Sequence, residues 1–276
     1  MNASGPQQEG EKNMDLQLAG KTVLVLASSR GLGKATAAAF AKEGADIMIT
    51  GRSEESLKEA EKELQSLSGH GRVGYYVCDI TKEAQIKALV EYTVEAFGPV
   101  DVLVNNAGGP PAGTFDDFDD DDWQKAFDLN LMSFVRATRA VLPSMKESGG
   151  GRIVNITSSS MKQTLDNLIL SNTFRAGLMG LAKSLSQELA PHGILINSLG
   201  PGKIATDRVA EIDGKKAGQM NKSAEEVRRE SEAAIPLGRY GQPEEFAAQV
   251  VFYGSFANTY VTGQTLLVDG GLIKAL

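Results

Sequence analysis

The chain holds a single cysteine, Cys78, and two histidines, His70 and His192, in 276 residues. One cysteine excludes an intramolecular disulfide and suits a reducing compartment, so a cytoplasmic setting is expected. His70 sits in a glycine-flanked turn and His192 follows Pro191 after a helix end; both read as turn residues. No apolar run approaches the roughly 20 residues of a membrane helix. Positive charge is not in excess: 28 Lys and Arg face 35 Asp and Glu, a net charge of −7. Nothing therefore favours nucleic acid or an anionic membrane as a partner. Residues 1–14 are polar and lack an apolar core, so they read as a disordered tail and not as a signal peptide. Residues 15–276 show no composition break and no internal repeat, which predicts one domain.

What is present is organised around Lys21 to Glu43. Thr22-Val23-Leu24-Val25-Leu26 is a continuous apolar run with β-branched members, as a strand buried on both faces requires. Ala27-Ser28-Ser29-Arg30-Gly31-Leu32-Gly33 follows, and then an alanine-rich helix from Lys34. Strand, glycine-bearing turn and helix in that order make an anion site, because the helix N-terminus presents free N–H groups and the positive end of a dipole. Taken alone, the same pattern also serves ordinary chain reversal.

The pattern repeats along the chain. Strands are predicted at 45–50, 73–77, 100–104, 152–156, 194–197 and 266–268, with helices at 54–67, 82–97, 123–145 and 168–190. Alternating strands and helices predict a doubly wound parallel sheet of seven strands with helices on both faces. In such sheets ligands sit beyond the carboxyl ends of the strands. The stretch from 203 to 237 is polar and charged, with one short helix expected at 225–234, and reads as a substrate lid or as a surface insertion. The acidic run from Asp116 to Asp122 reads as helix capping before Trp123 and not as a metal site.

These motifs together resemble the short-chain dehydrogenase/reductase family from about Leu16 to Gly271, in particular its 3-oxoacyl-(acyl-carrier-protein) reductases. The resemblance implies a single-domain Rossmann fold. It assigns Ala27, Ser29, Arg30, Gly31, Leu32 and Gly33 to the cofactor turn, with Ala27 in place of the family's first glycine. Asp79, followed by Ile80, matches the aspartate at the adenine. Asn106, Ala107 and Gly108 belong to an intact Asn-Asn-Ala-Gly signature. Asn130 and Ser158 match the catalytic asparagine and serine. Pro201, Gly202, Ile204 and Thr206 match the segment at the nicotinamide half.

One departure stands out. The family's Tyr-x-x-x-Lys begins thirteen residues after the serine in close relatives, and here those positions are Ser171 and Arg175. No tyrosine lies between Ser158 and Ala190. A serine hydroxyl is too weak an acid to replace a phenol unaided. Arg175 keeps the positive charge and several donors but is a poor proton shuttle. Three readings follow: a carbonyl reductase with a rewired, water-mediated proton path through Ser158 and Ser171, in which Arg175 stabilises the developing alkoxide; a dinucleotide-binding sensor or scaffold without turnover; or a different reaction in the same site. The first is favoured. The end of the second strand, Thr50-Gly51-Arg52, carries no acid for a ribose 2′-hydroxyl. Arg30 and Arg52 suit a 2′-phosphate, so NADP(H) is expected ahead of NAD(H). The expected substrate is a small carbonyl or alcohol. Family members form homotetramers or homodimers through the two long helices, where Phe127, Leu131, Phe134, Leu178 and Leu181 read as core or interface.

Overall fold

A strand that is apolar at every position must be covered on both faces. The first strand, β1 (Thr22–Val25), shows how this is met. Val23 and Val25 enter one core with Phe40, Ile47, Ile49 and Val104, while Leu24 enters a second with Met48, Leu103, Ile153 and Phe134. The computed structural model describes residues 14–275. The expected tail lies outside the described residues except for its last member, Met14.

After β1 come α1 (Gly31–Lys42), β2 (Asp46–Gly51), α2 (Glu54–Leu67), β3 (Val73–Val77), α3 (Glu83–Phe97) and β4 (Val102–Asn105). The second half contains α4 (Asp120–Phe127), α5 (Ser133–Glu147), β5 (Gly151–Ile156), α6 (Ile169–Leu189), β6 (Ile194–Pro201), α7 (Asp207–Met220), α8 (Ala224–Ala233), α9 (Pro243–Gly254) and β7 (Thr265–Val268). The seven strands form one parallel sheet in the order β3-β2-β1-β4-β5-β6-β7. Helices α1, α2 and α9 supply one core, and α3, α5 and α6 the other. This is the doubly wound, single-domain Rossmann arrangement expected. Strand order reverses between β1 and β4, which opens a crevice at their carboxyl ends.

Several elements differ from expectation. Strand β6 runs on through Ser198, Leu199 and Gly200 to Pro201, because ladder hydrogen bonds are backbone bonds and polar or small residues still pair with β5 and β7. The helix expected at 123–145 begins at Asp120, capped by Asp119, whose carboxylate accepts the Asp122 N–H. It is then broken by a π-helical turn, Asp128–Met132, before α5. A π turn leaves no trace in hydrophobic spacing. Two helices, not one, fill the polar stretch after β6. The unforeseen α7 carries two glycines and little apolar sequence, and it starts at a Thr206 side-chain cap. Phe134 and Leu178 are core residues, fully enclosed, whereas Phe127, Leu131 and Leu181 are half-buried.

The turn after β1 is built by its neighbours. Ser28 is buried; its hydroxyl donates to Val25 O at 2.7 Å and accepts the Thr50 N–H at 3.0 Å. Asn106, just past β4, donates its amide to Leu26 O at 3.2 Å and Ala27 O at 3.0 Å. A Cβ on Gly33 would stand 2.6 Å from Ala27 O and 2.7 Å from Asn106 Nδ2, so only glycine lets α1 approach this closely. Ala27 lies at φ 47°, in the left-handed region. That conformation costs a residue with a Cβ roughly 1–2 kcal/mol. Ala27→Gly removes the strain, offset by the roughly 0.5–1 kcal/mol of extra unfolded-state entropy of glycine. The expected result is a net gain of about 0.5–1 kcal/mol, read from urea unfolding followed by circular dichroism. A loss of stability would show that the methyl group makes contacts worth more than the strain.

Candidate active site

The carboxyl ends of the strands carry nearly every residue singled out from the sequence. Beyond β1, Ser29 and Leu32 are half-buried, and Arg30 and Gly31 are exposed. Arg30 occupies the N-cap of α1 without a side-chain cap, and the first turn of α1 carries no acid. The leading N–H groups of α1 are thus left with their dipole uncompensated, which suits an anion. Beyond β2, Arg52 is exposed. Beyond β3, Asp79 accepts from the Thr81 N–H at 3.0 Å and its hydroxyl at 2.8 Å. Partial burial alone would raise the Asp79 carboxyl. The two Thr81 bonds and the charges of Lys82 and Arg52 outweigh it and hold the carboxyl below its ordinary value. Arg52 and Asp79 therefore share one field. The Ile80 side chain is buried in the second core, so only its backbone is free to meet a ligand.

Beyond β4, an added Cβ on Gly108 would meet open space. Ala107 packs against the second core. Gly108 O accepts the Asn130 amide at 2.8 Å, a contact that the π turn makes by facing Asn130 inward. Asn130 is fully buried and its Oδ1 has no partner.

Beyond β5, Ser158 caps the short turn Ser159–Met161, its Oγ accepting the Ser160 N–H at 3.1 Å. Ser171 does not meet Ser158 directly. Its hydroxyl is buried against that of Ser160, 3.1 Å away. Ser160 thus stands among the candidate site residues, although in the sequence it was one serine of a run. Four residues on, Arg175 lies 3% exposed. It donates to Ile156 O at 3.2 Å and, at 3.5 Å, to Ala107 O, with its guanidinium 5.8 Å from the centre of the Phe134 ring. Among the described residues its Nε has no partner and no carboxylate pairs with it. Burial lowers the guanidinium to about 10, so at neutral pH it remains charged.

Beyond β6, the chain threads tightly. A Cβ on Gly200 would stand 2.7 Å from Ser158 O, and one on Gly202 would stand 2.5 Å from the Asp269 Cβ. Gly200 was also missed, although a glycine inside a strand commonly marks close backbone approach. Pro201 ends β6. Ile204 turns its side chain into the first core and Thr206 caps α7, so Ile204 can offer a ligand its backbone alone. A buried polar ladder stiffens this edge. Asn105 donates to Asn155 Oδ1 at 2.9 Å, and Asn155 donates to Ser198 Oγ at 3.4 Å, linking β4, β5 and β6.

Residues 26–273 match the family model described as enoyl-(acyl carrier protein) reductase. The chain is 36% identical over 260 residues to the 3-oxoacyl-(acyl-carrier-protein) reductase of Thermotoga maritima, covering 94% of this chain and 100% of that protein. The L-sorbose reductase of Gluconobacter frateurii, solved with NADPH and L-sorbose, superimposes with a TM-score of 0.91 at 33% identity, over 95% of this chain and 100% of that one. An actinorhodin polyketide ketoreductase solved with NADPH gives a TM-score of 0.87 at 36% identity, over 91% and 97% of the two chains. With the fold, the Asn-Asn-Ala-Gly strand end and matches over nearly its whole length, the chain belongs to the short-chain dehydrogenase/reductase family of NAD(P)-dependent oxidoreductases.

Proposed function

We propose that this chain binds NADP(H) along the carboxyl edge of the sheet and reduces a small ketone to a secondary alcohol. The observation that carries the reading is Arg175: a buried, charged guanidinium without a carboxylate among the described residues, at the ends of β4 and β5. A lone buried charge is costly unless a ligand uses it. The edge fits a dinucleotide in other respects. The α1 N-terminus is uncapped, Gly108 borders open space, and Arg30 and Arg52 are exposed near the turn. The relatives solved with NADPH support the choice of nucleotide.

When bound, the reduced nicotinamide supplies a hydride to the carbonyl carbon. The residues of the chain must manage the oxygen. The Ser158 hydroxyl accepts from Ser160 and so keeps its own proton free to donate to the substrate oxygen. Arg175 holds its charge in a dry setting, where it stabilises negative charge developing on that oxygen. Ser171, bonded to Ser160, steadies the Ser158 turn from below. The proton that completes the alcohol comes from water, since no phenol stands between Ser158 and Ala190.

Nucleotide titration followed by nicotinamide fluorescence should show tighter binding of NADPH than of NADH. Arg52→Asp should weaken NADPH far more than NADH, and equal affinities in the wild type would remove the preference. Turnover is tested by NADPH oxidation against 3-oxoacyl thioesters, diketones and keto-sugars. Ser158→Ala should lower it by about 10²-fold or more, typical of a group that acts on the reacting oxygen. Binding without turnover on the whole panel, with turnover gained in the double variant Ser171→Tyr, Arg175→Lys, would instead identify a nucleotide-binding sensor.

The charge of Arg175 also has a stability signature. Below about pH 10 the guanidinium is charged and its desolvation penalty is fully present; the penalty fades only as pH rises from there towards the higher value of an unfolded arginine. Arg175→Met removes it at neutral pH. The nucleotide-free protein is expected to gain about 1–3 kcal/mol while its NADPH affinity falls. Lower stability in Arg175→Met would mean that the two carbonyl contacts outweigh the cost of burying the charge.

A further inference from the structure

Helices α7 and α8 bury almost nothing. Across its 14 residues α7 encloses Asp213 and Ala217, and α8 encloses Val227 across its 10. The two pack chiefly on each other. So small an apolar anchor cannot by itself fix a helix pair against the body of the protein, since tertiary packing supplies most helical stability. Polar contacts must therefore decide where the pair sits, and they converge on one carboxylate. Asp213 is 4% exposed. Its Oδ1 accepts from Lys203 Nζ at 3.1 Å and its Oδ2 from the Tyr240 hydroxyl at 2.7 Å.

Both donors belong to the body. Lys203 stands one residue past Gly202 at the exit of β6, and buried Tyr240 leads into α9. Their two segments are joined by hydrogen bonds from the Gly241 N–H to Lys203 O at 3.0 Å and from the Ala205 N–H to Gly241 O at 2.8 Å. Helix α8 reaches the same point, with Arg228 lying 5.2 Å over the Tyr240 ring and held there by Glu232 at 2.9 Å. Burial pushes the Tyr240 phenol up to about 12, with the bond to Asp213 adding to it and the Ser231 hydroxyl opposing it, so it stays a donor.

We propose that Lys203, Asp213 and Tyr240 form a latch that sets the position of the α7–α8 pair as a flap over the substrate side of the crevice, with Asp213 as a positioning residue for substrate binding. The substrate part of this inference rests on the reductase reading; the latch itself does not. Because Lys203 adjoins the Pro201–Gly202 segment, the latch is rooted in the strand end assigned to the nicotinamide half.

Hydrogen exchange followed by mass spectrometry tests the latch without any turnover. In Asp213→Ala, peptides from α7 and α8 should exchange about tenfold faster or more, with β1, β4 and β5 unchanged, as expected for a locally released unit. Tyr240→Phe keeps the ring beneath Arg228 and loses one bond, so its effect should be smaller and confined to the same peptides. Lys203→Arg, which keeps a cation in reach, should retain wild-type protection. On any ketone that is turned over, Asp213→Ala should raise KM about tenfold, with kcat less affected and NADPH affinity unchanged. Faster exchange in α7 and α8 without turnover in any variant upholds the latch and removes the reductase reading. Unchanged exchange in Asp213→Ala overturns the latch, as does faster exchange throughout the sheet. If Asp213→Ala does not fold, Tyr240→Phe decides on the same two outcomes.

Discussion

Parallel pairing on both sides of β1 is the constraint on which the rest depends. β1 lies between β2 and β4 with every strand pointing the same way. Parallel neighbours need crossover helices, so each strand's carboxyl end delivers a loop to the same edge. The chemistry-bearing residues meet for this reason and no other: the Ala27 turn, Arg52, Asp79, Asn106, Ser158 and Gly202 are separated in sequence and adjacent at that edge. Side-chain amides then stiffen it. Asn106 fastens the first turn to the end of β4, and the Asn105–Asn155–Ser198 ladder runs across the next three strands.

Against this apolar body, the buried polar groups at the edge stand out as unfinished. Asn130 Oδ1 and Arg175 Nε are enclosed without partners, although most buried polar atoms in folded proteins are paired. Among the described residues the Arg175 guanidinium makes two hydrogen bonds, both to carbonyl oxygens, and lies near the ring of Phe134. Contrast Arg152, also buried and also without a carboxylate. It donates to Gly151 O, Gly193 O, Ser255 O and Asn258 O and lies over the ring of Phe256. That cation is fully employed in holding loops at the opposite end of β5. Arg175 is not: its Nε stays unpaired among the described residues, as do Thr36 Oγ1, Asn105 Oδ1 and Arg136 Nε, but it alone of these carries a nearly fully enclosed charge at the strand ends where the cofactor is proposed to bind.

The sheet was legible because apolar runs such as Val23–Leu26 and Val102–Val104 admit few alternatives once helices separate them. Capping was legible too: the run before Trp123 contains Asp119, which caps α4, and Asp117, which pairs with Thr114. What escaped notice depends on geometry that spacing does not encode. The π turn that faces Asn130 inward adds one residue to a helical repeat. Ser160 became a neighbour of Ser171 only through the short turn after β5. The pairing of Lys203, Asp213 and Tyr240 joins residues up to 37 positions apart in a polar stretch with no periodic signal. The helix α7 itself was hidden by Gly214 and Gly218, which lower helix propensity, and its inward face is marked by a carboxylate where a pattern search looks for a hydrophobe.

The two kinds of anchoring divide the molecule by how reversibly each part is held. Phe40, Phe134 and Phe246 are fully enclosed, and exposing any of them would forfeit roughly 2–3 kcal/mol of burial with nothing in water to replace it. The sheet and its six flanking helices therefore move little. A carboxylate that leaves a lysine and a phenol instead exchanges those partners for water, which satisfies all three groups at once. The net free energy of release is then small compared with the strength of the contacts themselves. An element fixed by Asp213 is held in one orientation by directional bonds yet is free to let go, and an apolar seam of the same size would give neither property. A segment that orders over a bound substrate and opens to release product, the role proposed for the α7–α8 pair, needs both properties, and a buried carboxylate on its inward face supplies them where valine and leucine would not.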